Sequence, residues 1–62
     1  MQAQIGDWVA FVCGTTRMQL GVVKALGASE LVLDVNGVFM LVPEESVREV
    51  RGPSPPVKKA KT

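Results

Sequence analysis

Few side chains in this sequence could do chemistry. There is no His and no Tyr, and the single thiol is Cys13. A nucleophilic thiol needs a neighbouring base or cation to form its thiolate. With no imidazole in the chain, every His-based triad is excluded, and Cys13 reads as a small packing residue at a strand end. One thiol and no His also make no ordinary zinc site, and one Cys forms no disulfide within the chain. The adjacent carboxylates Glu44 and Glu45 invite comparison with a general acid–base pair. Neighbouring residues of a helical turn point in different directions, however, and carboxylates suit the positive start of such a turn. No glycine loop has the phosphate-cradle spacing that ends in Lys and a hydroxyl residue. The sequence therefore assigns no catalytic, cofactor-binding or metal residue.

The remaining candidates bind rather than react. Trp8 could anchor an interface or stack on a base, or simply cap one end of a core. The cations are unevenly spread. Residues 1–51 hold Arg17, Lys24, Arg48 and Arg51 against six carboxylates, a net charge of −2, whereas residues 52–62 hold Lys58, Lys59 and Lys61 and no anion. A folded face that grips a polyanion is usually basic, and this one is not on a count. Nucleic-acid contact, as the alternative function, falls to Arg17 and the three tail lysines.

These residues must be positioned by short elements. Gly and Asn interrupt the first fifty residues at intervals of about 8–12, and the runs between them are apolar and β-branched, which favours strands over helices. Strands are expected over Trp8 to Cys13, Met18 to Leu26, Leu31 to Val35, Val38 to Val42 and Val47 to Val50. Asn36-Gly37 is a strong hairpin signal, because a two-residue type I′ turn needs positive φ at both positions. Pro43-Glu44-Glu45-Ser46 reads as one helical turn with Pro at its first position. From Gly52 the composition changes: Gly52-Pro53-Ser54-Pro55-Pro56 cannot enter a sheet interior, and the Lys-rich remainder has little to bury. The organisation expected is one domain over residues 1–51 and a disordered Pro/Lys-rich tail over 52–62. Met1-Gln2-Ala3-Gln4 carries no positive charge, so no signal peptide is expected. The longest apolar run, Val38 to Val42, is far too short for a membrane span. A soluble, cytoplasmic protein without membrane contact is expected.

Five short strands with a helical turn before the last is the order of an SH3-like small barrel. Gly6-Asp7-x-Val9-x-Phe11-x-x-Gly14 followed by Gly21-x-Val23 resembles the KOW-motif region of transcription elongation factors and certain ribosomal proteins, and Val42 to Val50 resembles the closing turn and strand of such barrels. The resemblance covers residues 5–51. It implies the barrel fold and, as the alternative function, an accessory role on nucleic acid. The basic and aromatic loop residues that KOW domains offer to RNA have no counterpart here, where the loop holds Thr15, Thr16 and Arg17. More distantly, the chain is similar to the tetrameric type II dihydrofolate reductase barrel. The Gln and Tyr of that family's Val-Gln-Ile-Tyr-Pro segment fall on Met40 and Val42, so the architecture is implied and the activity is not.

Alternation then sorts the faces. With Asp34 in solvent, Leu31, Leu33 and Val35 face the core and Val32 faces out. Val9, Phe11, Phe39 and Leu41 are expected inside, packed with Val23, Leu26, Val47 and Val50. The opposite face would carry Trp8, Val32, Val38, Met40 and Val42, a set too apolar to be left to water. These five residues are the expected interface of a homo-oligomer, a dimer by default and a tetramer as the extension. The function expected is a non-enzymatic interaction module that self-associates and binds a protein partner, without cofactors.

Overall fold

The computed structural model describes residues 3–14 and 17–54. Within them the chain is all-β. Five strands, β1 (Trp8–Phe11), β2 (Gln19–Leu26), β3 (Glu30–Val35), β4 (Val38–Pro43) and β5 (Val47–Gly52), form one antiparallel sheet. Their order is β4-β3-β2-β1-β5, so β4 and β5 are its two edges. A single 3₁₀ turn, η1 (Glu44–Ser46), links the last two strands. Among the described residues no helix is long and apolar enough to cross a membrane.

Local chemistry accounts for the junctions. Asn36 and Gly37 have φ of 54° and 88°, the pair of left-handed values a type I′ turn requires. The Gly37 N–H donates to Asp34 Oδ1 at 2.8 Å, which fastens the turn to β3. Pro43 is extended and closes β4, one position earlier than its expected place inside the helical turn. The Glu44 N–H donates to the Ser29 carbonyl at 2.9 Å, and the Val12 N–H to that of Ser46 at 3.0 Å, which ties η1 to both β1 and the β2–β3 turn.

The core is one cluster: Val9, Phe11, Val23, Leu31, Leu33, Val35 and Val42 are buried, with Ala3, Cys13, Met40, Val47 and Val50 partly buried against it. Its β1 and β3 members are those the alternation predicts. In β4 the faces are reversed. Val42 is 0% exposed and Met40 packs on the core, while Phe39 and Leu41 are 65% and 63% exposed. The turn is the physical reason. A two-residue loop sets Val35 opposite Val38, and hence Leu33 opposite Met40 and Leu31 opposite Val42. Directly opposed residues share a face, so the core side of β4 carries Met40 and Val42. Leu26 is also exposed rather than inside; the irregularity between Val23 and Ala25 sets it opposite Leu31, on the core side, at the very end of β2.

At the C-terminal side β5 runs on through Gly52, two residues past the Val50 end expected for that strand. Pro53 and Ser54 are exposed. The rest of the expected tail, 55–62, lies outside the described residues.

Candidate functional site

The sheet face opposite the core is assembled by register. Trp8 lies across from Val22, Val22 from Asp34, and Asp34 from Phe39, giving one row across β1, β2, β3 and β4. A second row runs Ala25, Val32, Leu41. Side chains of one row share a face, so Trp8, Val22, Val32, Phe39 and Leu41 line the outside with Asp34 between them. Trp8, Val22 and Val32 are half-buried, and Phe39 and Leu41 stand out into solvent. A shallow cleft on this side is lined by Trp8, Leu20, Val22, Asp34, Asn36 and Gly37.

The five residues expected at an interface therefore separate. Trp8 and Val32 are on the outer face. Val38 is 61% exposed at the start of β4, on the core side's alternation but beyond its cover. Met40 and Val42 belong to the core, which corrects their expected place. Phe39 and Leu41 take that place, and alternation alone could not find them; the Asn36-Gly37 turn could, by fixing the register.

At the far end of β4 a second cleft is lined by Ser29, Glu30, Pro43, Glu44 and Glu45. Its carboxylates give it an acidic rim. Among the described residues no group of three or more Cys, Asp or Glu side chains is placed to hold a metal ion. Cys13 is half-buried and packs on the core beside the β1 end. Of the residues considered for nucleic acid, Arg17 is exposed just ahead of β2, and Lys58, Lys59 and Lys61 lie outside the described residues.

The Gly6-Asp7 pair has a structural role. The Asp7 N–H donates to the Gln4 carbonyl at 3.0 Å, and the Gln4 N–H donates back to Asp7 Oδ2 at 3.0 Å. Gly6 N–H reaches the Val23 carbonyl at 2.8 Å and Val23 N–H reaches the Asp7 carbonyl at 2.9 Å. The motif is a side-chain-closed turn docked on β2.

Compared with protein-family models, curated proteins and solved structures, the chain matches none.

Proposed function

We propose that this chain is a non-enzymatic interaction module, a sheet curled into an SH3-like, KOW-like small barrel that self-associates and binds a protein partner. The observation that carries this reading is the exposure of Phe39 and Leu41 beside Val32, on the same face as Val22 and Trp8. Full burial of each such side chain is favourable by about 1.5–3 kcal/mol, and contiguous apolar surface of this kind marks an interaction site. The composition of the chain supports it too. A core in a chain this short supplies about 3–5 kcal/mol, and small folds add a disulfide, a metal or a second subunit. One Cys and no His supply neither a disulfide within these residues nor an ordinary zinc site, which favours a second subunit as the support.

Sedimentation equilibrium tests the reading. The wild type should sediment above the 6.6 kDa of one chain, and Phe39→Lys should move it toward that mass while the circular dichroism of the sheet persists. A wild type that stays monomeric across the accessible concentration range overturns self-association.

The charge distribution favours one second reading, a nucleic-acid accessory protein that uses Lys58, Lys59, Lys61 and Arg17. Phosphate contacts weaken steeply with salt, whereas burial of the outer apolar face does not, so the salt dependence of binding separates the two.

A further inference from the structure

Resting on that reading of self-association, we infer that two copies join edge to edge through β4, antiparallel about a two-fold axis at Met40, so that two sheets become one. β4 is an edge strand whose six residues, Val38–Pro43, include no charge. Natural edges are usually blunted by lysine, inward charges or bulges. This one has a regular register with β3 along its whole length and only Pro43, at its end, as a guard.

The register shows which backbone groups remain for a second chain. In a two-residue hairpin the residues flanking the turn exchange hydrogen bonds, and bonded pairs then alternate with unbonded ones. Val38, Met40 and Val42 therefore turn their N–H and C=O groups toward β3. The Glu44 N–H on the Ser29 carbonyl continues the same phase. Phe39 and Leu41 turn theirs outward along the open edge. Pro43, opposite Glu30 in an unbonded pair, loses no ladder bond by lacking its N–H.

Those groups select one register. About an axis at Met40, each Phe39 meets Leu41 of the second copy, and each pair exchanges both bonds. A shift that centres on Leu41 sets Phe39 against Pro43, which has no N–H to give. A shift that centres on Phe39 sets Leu41 against Gly37, whose N–H is already held by Asp34 Oδ1 at 2.8 Å. The Met40 register also places Phe39 beside Leu41 of the second copy on the outer face, an aromatic–aliphatic cross-strand pair. Charge agrees with the antiparallel sense. Glu44 and Glu45 follow Pro43, and antiparallel pairing carries the two acidic ends apart, each toward the uncharged Asn36-Gly37 turn of the second copy. A parallel pairing would set them side by side. The outer faces of the two copies then form one continuous apolar surface for the protein partner.

Amide exchange by nuclear magnetic resonance, combined with sedimentation, tests the geometry. In the dimer the Phe39 and Leu41 amides should be protected, and the protection should fall on dilution toward monomer, while the Met40 amide stays protected throughout. Leu41→Pro removes an outward donor and leaves the ladder to β3 intact, so it should weaken dimerisation at least about tenfold. Met40→Pro removes a bond to β3 and should unfold the sheet. A dimer in which the Phe39 and Leu41 amides exchange freely overturns the edge geometry and leaves self-association standing through another surface. A monomeric wild type overturns both. Protection of both amides that persists in the monomer means that another segment of the same chain covers the edge, and it overturns the second copy as occupant. Should Leu41→Pro fail to fold, the wild-type exchange pattern still decides.

Discussion

Gly21 faces the core from β2 with no side chain because β3 occupies the space. A methyl group there would lie 3.0 Å from Val35 Cγ2, 3.1 Å from Leu33 Cβ and 3.3 Å from the Asp34 carbonyl oxygen. Two of these neighbours belong to or adjoin the backbone and cannot swing away. Gly21→Ala should therefore cost about 1–3 kcal/mol, the usual penalty of overpacking, read as a lower midpoint in urea. The Gly21-x-Val23 spacing was visible in the sequence as a component of a resemblance, but its cause, close packing against Leu33 and Val35, needed the β2–β3 register. The same scale separates the two faces of β4. Val42 is fully buried, so Val42→Ala should lose about 2 kcal/mol through lost contact and the cavity left behind. Phe39→Ala, on the exposed face, should change the stability of the monomer by less than about 1 kcal/mol. Equal losses at the two positions would restore the faces that simple alternation suggests.

Among the elements, the β3–β4 hairpin decides most. Its turn was legible because Asn-Gly is one of the few pairs that accept positive φ twice, and both residues have it. Its consequence was equally present in the sequence: a two-residue loop requires odd-numbered residues of β3 to face the same way as even-numbered residues of β4. Placing Phe39 and Leu41 in the core conflicts with that requirement, and in the structure the backbone register puts Met40 and Val42 there instead. The irregularity between Val23 and Ala25 had no comparable signal, since no Gly or Pro marks it. Gly37→Val forces a β-branched side chain to φ near 88° and should cost about 1–3 kcal/mol. The loss should appear as a lower thermal midpoint. Because the turn sets the register, it should also broaden the amide signals of β4 before those of β1. An unchanged midpoint would mean that the hairpin closes without the left-handed pair.

For the whole molecule, charge divides the two functional readings. The folded domain, with a net charge of −2 over residues 1–51, repels a polyanion at long range, and the cations that would attract one are concentrated at Lys58, Lys59 and Lys61. Replacing three phosphate counterions on duplex DNA gives a log–log salt slope of about −2.7, so affinity should fall roughly fortyfold between 50 and 200 mM salt. Contact of that kind carries no sequence information. Any binding of DNA or RNA by the full chain should therefore be weak, indifferent to sequence and lost at physiological salt. Changing Lys58, Lys59 and Lys61 together to Gln should abolish it at every salt concentration. The same variant should keep its sedimentation mass, because self-association is assigned to uncharged side chains and backbone groups of β4. Fluorescence anisotropy of labelled oligonucleotides, measured across a salt series beside sedimentation, checks both halves. Sequence-selective binding that survives the triple substitution would place recognition on the folded face, around Arg17 and Trp8, and would make the nucleic-acid reading the primary one. Loss of self-association in the triple variant would instead show that the lysines, and not the apolar edge, hold the copies together.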